Sequence, residues 1–174
     1  MDDQDAWTGE AGDEHTDSTR QVTAEDLVNI CRHLNEEGAK YVVIGGMAVR
    51  AAGYLRETFD IDLIIDTDPA NESRVFRSLE FLPDKAVLEL KPGEVAQYTV
   101  VRVCDEITVD LMKSASGIDY AEVSQDAVVR VVEGVPIPFA SPRLLWRMKR
   151  KTYREKDRGD LAFLRQEYPE VTGD

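Results

Sequence analysis

Apolar residues fall into two rhythms along the chain, one of helical and one of strand period. Leu27, Ile30, Cys31 and Leu34 recur at helical spacing behind Thr23-Ala-Glu-Asp26, which resembles a capping box with Asp in the acidic slot. Gly38 follows as a left-handed helix stop. Tyr41-Val-Val-Ile44 is a short β-rich run ended by Gly45-Gly46, and residues 47–56 then read as a helix in spite of Gly53. Phe59 to Ile65 reads as a strand with acids set among Ile and Leu. Asp68-Pro69 supplies an N-cap and a first helical residue for a helix with Val75, Phe76 and Leu79 on one face.

After Pro83 the pattern turns to β. Ala86–Leu90, Gln97–Cys104 and Ile107–Met112 are predicted strands, with turns at Lys91-Pro-Gly-Glu94 and Asp105-Glu106. Val128–Val132 and Val135–Phe139 predict a hairpin around Glu133-Gly134. Ser141-Pro142 caps a last helical region running to about Gln166, with a break expected near Gly159. The expected class is α/β (α+β): a mixed sheet flanked by helices, closed by a C-terminal helical segment.

The chain has 174 residues, which suits one domain over 21–168. Residues 1–20 carry seven acids against one arginine and a single large apolar residue, Trp7, so a disordered acidic tail is expected there. No stretch approaches the roughly 20 apolar residues that span a bilayer, and the acidic start lacks a basic-then-apolar leader pattern. The expectation is a cytoplasmic protein with no membrane association. Two cysteines, Cys31 and Cys104, exclude a disulfide scaffold and a four-cysteine zinc site; apolar neighbours predict that both are reduced and buried. His15 and His33 lie apart and form no ligand cluster. A net charge of −13 argues against coating nucleic acid through a general field. One segment runs the other way: residues 141–165 hold nine bases against three acids.

The chemistry concentrates on three acids. Asp60 and Asp62 are alternate residues of one predicted strand and so share a face, about 6.6 Å apart along it. Two carboxylates among Ile61, Leu63, Ile64 and Ile65 repel each other and lose hydration unless a cation joins them. Mg²⁺ suits such a pair, because it takes a few carboxylates and completes its octahedron with water and phosphate oxygens. Asp110 in Ile107-Thr-Val-Asp-Leu-Met112 is a third acid among apolar strand residues. On a neighbouring strand it would complete a site for two ions, suited to in-line attack at phosphorus. Gly45-Gly46, between a β run and a helix, permits close approach of another group to the backbone. Each feature also has a plain structural reading: a polar strand face, a tight turn, a solvated helix.

Ile44-Gly45-Gly46, thirteen residues, Asp60-Ile-Asp62, then a later Asp110 together resemble the nucleotidyltransferase superfamily with the polymerase-β-like fold. Arg56-x-Thr58-x-Asp60-x-Asp62, Leu144-Leu145-x-x-Lys149 and Arg154-x-Lys156-Asp157-x-x-Asp160-Leu161 look like the signatures of bacterial AbiEii-type and related minimal nucleotidyltransferases. The resemblance covers roughly 38–165. It implies Asp60, Asp62 and Asp110 as catalytic, metal-binding residues, with two Mg²⁺ ions or Mn²⁺ in their place. It implies nucleotide contacts from Gly45, Gly46, Arg56, Thr58 and Lys149, with Lys149 the first choice for the triphosphate. The expected reaction moves NMP from an NTP to an acceptor hydroxyl on RNA, tRNA or a protein, with a toxin–antitoxin role and a cognate antitoxin as one form of it. A small-molecule acceptor such as an aminoglycoside is the alternative substrate. A catalytically silent relative that binds nucleotide or a protein partner is the alternative class.

Overall fold

The computed structural model describes residues 19–152 and 154–173. The acidic tail expected over 1–20 therefore lies outside the described residues, apart from Thr19 and Arg20. Ten of the elements that matter run in the order α1 (Ala24–Glu36), β1 (Tyr41–Ile44), α2 (Gly45–Ala51), β2 (Asp60–Ile65), α3 (Pro69–Ser78), α4 (Glu94–Tyr98), β3 (Val100–Cys104), β4 (Thr108–Met112), β5 (Ser114–Ala115) and β6 (Ile118–Asp119). They are followed by α5 (Tyr120–Val123), β7 (Ala127–Val132), β8 (Val135–Ala140), α6 (Pro142–Lys149) and α7 (Glu155–Glu167).

Six strands form one mixed sheet in the order β3-β4-β2-β1-β8-β7, and β5 and β6 make a separate small pair. β2 lies antiparallel to β1 and parallel to β4, so the acid-bearing strands are neighbours at the centre of the sheet. Ile61, Leu63, Ile64 and Ile65 of β2, Val42 and Val43 of β1 and Val109 and Leu111 of β4 are buried. Helices flank the sheet, and Leu27, Ile30, Leu34, Val75, Leu144 and Leu145 bring their apolar stripes into the same core.

Local chemistry sets the helix starts as the sequence predicts. Thr23 accepts from the Asp26 N–H while Asp26 accepts from the Thr23 N–H, the reciprocal capping box. Asp68 and Ser141 cap α3 and α6 with Pro at the next position. Gly38 takes its left-handed turn at φ +69°.

Several elements differ from expectation. Ala86–Leu90 is not a strand: Ala86–Glu89 is a 3₁₀ turn, pinned because the buried Asp105 carboxylate accepts from the N–H groups of Asp84 (2.9 Å) and Ala86 (3.0 Å). Gln97 and Tyr98 belong to α4, whose start is held by the buried Glu72 accepting from Gly93 (2.9 Å) and Val95 (2.8 Å). In both places a distant carboxylate draws the backbone away from its β preference. α2 begins at Gly45 and ends at Ala51, with Gly53 turning at φ +121°. The C-terminal break falls between α6 and α7, and α7 runs straight through Gly159. Cys31 is buried, but Cys104 is exposed on β3, a sheet edge whose outer face meets solvent.

Asp105 also accepts from the Glu106 N–H at 2.7 Å, so one buried carboxylate satisfies three backbone donors. Asp105→Ala is expected to lower the free energy of unfolding by roughly 2–3 kcal/mol, read by urea denaturation.

Candidate active site

The register of the central strands decides where the acids point. Asp62 of β2 sits opposite Asp110 of β4, and Asp60 opposite Thr108. Alternation then puts Asp60, Asp62 and Asp110 on one face, where carboxylate oxygens from all three lie within 4.8 Å of one another. Burial, then the charges of Asp60 and Asp110, push the Asp62 carboxyl up to about 7. The third strand supplies a cation: Arg102 of β3 is in register with Asp110. Its Nε and Nη2 donate to the two Asp110 oxygens at 2.8 and 3.0 Å, and Nη2 reaches Asp60 at 3.4 Å. The Asp110 hydrogen bonds in turn hold the Arg102 guanidinium more firmly protonated. Sequence reasoning missed Arg102; the signal was a lone cation in an apolar strand, one hairpin away from Asp110.

Gly45 and Gly46 lie directly over β2. A Cβ on Gly45, whose φ is +66°, would strike the Asp62 carboxylate. One on Gly46 would come within 2.6 Å of Thr58 Oγ1 and 3.1 Å of Arg56 Nη1. The pair is needed for this crossing, beyond any turn. Thr58 is buried and donates to the Asp60 carbonyl at 3.2 Å, which fixes the entry to the strand.

The basic C-terminal segment is tied to this site by buried ion pairs. Lys149 is only 6% exposed, and its Nζ lies 3.0 Å from both Asp157 and Asp160. Arg56 grips Asp160 through Nε (2.7 Å) and Nη2 (2.8 Å). Arg154 meets Asp157 at 2.8 Å, and the Thr152 hydroxyl donates to Asp157. Burial opposes ionisation of Asp157, but hydrogen bonds from Thr152, Lys149 and Arg154 outweigh it and hold the carboxyl at about 2. Arg154 and Asp157 pair at i, i+3 spacing. Asp160, in contrast, serves Arg56 and Lys149 rather than its helical neighbour Lys156. Lys156 lines the site, where its charge draws the Asp62 carboxyl down. Trp146 is buried in the core, and Tyr153 lies outside the described residues.

Two adjoining cavities open over the acids. One of about 190 Å³ is lined by Gly45, Gly46, Arg56, Thr58, Lys149 and Lys156. The other, about 320 Å³, has Met112, Leu145 and Met148 as its apolar side and Asp110, Arg102 and Ser116 as its polar side. Hard oxygen donors in this number and spacing fit a divalent cation completed by water and phosphate oxygens.

The family model described as "Nucleotidyl transferase of unknown function (DUF2204)" matches residues 23–173. The chain belongs to this family. It is a nucleotidyltransferase, as the acid pattern implied. By structure, the nucleotidyltransferase is similar to the lincosamide antibiotic adenylyltransferase LnuA in its lincomycin-bound crystal structure. The TM-score is 0.59 at 16% identity, over 84% of this chain and 98% of that one. A putative nucleotidyltransferase from Thermotoga maritima, TM1012, gives a TM-score of 0.50 at 15% identity, over 85% and 98% of the two chains. These similarities establish a shared fold. A search of curated proteins finds no match.

Since the folded-state value of Asp62 lies above the ordinary carboxylate range, its contribution to stability is full below that range and is lost as pH rises through about 7. Without metal, Asp62→Asn should melt several degrees above the natural protein at pH 8, and the gap should close towards pH 5. Calorimetric melts in the presence of a chelator check this.

Proposed function

We propose that the nucleotidyltransferase moves NMP from an NTP to an acceptor hydroxyl, using Mg²⁺, two ions or Mn²⁺ in their place, held by Asp60, Asp62 and Asp110. The observation that carries this reading is the desolvated triad itself. Three acids crowd one face of a buried sheet, and Asp62 is forced towards neutrality for want of a counter-charge. When bound, the metal supplies charge neutralisation at the phosphoryl group and acidifies the attacking hydroxyl.

The chain's own residues do the rest. The 190 Å³ cavity beside Gly45, Gly46 and Asp62 gives room for phosphate, and Arg56, Lys149, Arg154 and Lys156 line it as a cationic wall. Buried Asp157 and Asp160 hold Lys149 and Arg56 in place at the cost of part of their charge. The acceptor oxygen bonds to the α-phosphorus, the bond from α-phosphorus to the bridging oxygen breaks, and pyrophosphate leaves towards that wall. Asp110 stands for the acceptor's proton, and Arg102 must release it as the site loads. The apolar side of the larger cavity, Leu145 and Met148 among it, suits the nucleoside.

The AbiEii-like signature Arg56-x-Thr58-x-Asp60-x-Asp62 supports an RNA, tRNA or protein acceptor, with a toxin role and a cognate antitoxin as its form, in the cytoplasm. The fold neighbour LnuA is an adenylyltransferase of lincosamide antibiotics, which supports nucleotidyl transfer to a small acceptor. Incubation of cell extract with each α-labelled NTP and Mg²⁺ should give a labelled product. Asp60→Ala should reduce label to background, as should chelation of the metal. Undiminished labelling by Asp60→Ala would remove the triad from the reaction. Calorimetric binding of Mg·ATP with no label in any fraction would indicate a silent relative instead.

A further inference from the structure

We infer that Arg102 competes with divalent metal for Asp110 and Asp60, and that nucleotide relieves the competition by drawing the guanidinium onto its phosphates. Arg102 is then a removable counter-ion that couples metal loading to nucleotide loading. This rests on the transfer reading above and adds to it a coupling and the residue that carries it.

The competition follows from shared atoms. Arg102 Nε and Nη2 donate to the two Asp110 oxygens at 2.8 and 3.0 Å, and Nη2 also reaches Asp60 at 3.4 Å. One nitrogen thus serves carboxylates from two strands, and both carboxylates belong to the set that fits a metal. A two-pronged guanidinium takes up carboxylate lone pairs that a metal would need. Its charge also repels a second cation a few ångströms away. Metal binding is weakened for as long as Arg102 stays.

Exposure shows which partner can move. The Arg102 side chain is 58% exposed against 8% for Asp110. Asp110 is fixed inside the sheet, whereas Arg102 projects from the edge strand β3, where water can receive its charge as it leaves. Among the described residues its side chain pairs only with Asp110 and Asp60. Lys149 and Arg56 differ in kind, because the buried Asp157 and Asp160 anchor them outside the triad.

The destination is in the same wall. Arg102 lines the 320 Å³ cavity together with Lys149, Arg154 and Lys156. A guanidinium grips phosphate with the same two-pronged geometry that it uses on a carboxylate. Exchange of Asp110 and Asp60 for phosphate oxygens keeps Arg102 paired and frees both carboxylates for metal. By linkage the effect is mutual: metal on the acids releases Arg102 for the nucleotide.

The test measures the two ligands separately. Mn²⁺ binding to nucleotide-free protein is read by electron paramagnetic resonance. Binding of α,β-methylene-ATP, which cannot release pyrophosphate, is read by calorimetry at saturating Mg²⁺, where competition for the acids is outrun. Arg102→Met should bind Mn²⁺ roughly tenfold tighter than the natural protein and the nucleotide analogue roughly tenfold more weakly. Arg102→Lys keeps one charge without the fork and should shift both constants in the same senses by less. The opposite signs separate this role from a structural one, which would weaken both. Unchanged or weaker Mn²⁺ binding by Arg102→Met would overturn the competition, and unchanged or tighter analogue binding would overturn the handover. In either case the transfer reading stands. Failure of every protein to bind Mn²⁺, or Mn²⁺ binding undiminished by Asp60→Ala, would overturn the metal site of that reading and this inference with it.

Discussion

Three carboxylates on one face of a sheet centre repel each other and lose hydration, and much of the surrounding architecture answers that constraint. Opposite pairing of Asp62 and Asp110 on parallel neighbours brings the charges close. Asp62 responds by drifting towards its neutral form, while Arg102 shields Asp110 and Asp60 from the edge of the sheet. The site thus concentrates charge that burial disfavours, an arrangement that is common at functional sites. The glycine pair follows from the same crowding, because the start of α2 crosses so close to Asp62 that no side chain fits between them.

A second set of charges, buried behind the first, is balanced rather than strained. Asp157 and Asp160 are fully buried and each has at least two cationic partners, so neither charge is left unmatched. Their pairs join α6, α7 and the segment before β2 into one assembly. Buried pairs of this kind add little net stability over an apolar packing, but removing one partner is costly because the other charge is left unmatched. Their value lies in geometry: Arg56 and Lys149 are fixed to the same carboxylate from elements far apart in sequence.

Much of the framework was legible from local pattern. The capping box at Thr23, the Asp68-Pro69 and Ser141-Pro142 helix starts, the Glu133-Gly134 hairpin and the acid-bearing strands all state their chemistry within a few residues. The triad was legible because Gly45-Gly46, Asp60-Ile-Asp62 and the later Asp110, each modest alone, fall among apolar strand residues in an order that resembles the nucleotidyltransferase pattern. What escaped depends on partners distant in the chain. Ala86–Leu90 has a strand-like composition, yet Asp105 fastens its start from nearly twenty residues away. Arg102 becomes part of the site only through strand register, which no composition reveals. Lys156 and Asp160 stand four residues apart on α7, a spacing that suits a surface ion pair, yet tertiary packing gives Asp160 two other cations and sets Lys156 beside the acids.

β3 borders the sheet, with β4 as its single partner, and it carries Arg102 and Cys104 outward on the side where the acids lie. A boundary strand of this kind can trade its outward residues without repacking the interior. Changes there leave β2 and the buried helical pairs undisturbed, so this border is the part of the cleft whose shape and charge can vary at least cost to the fold.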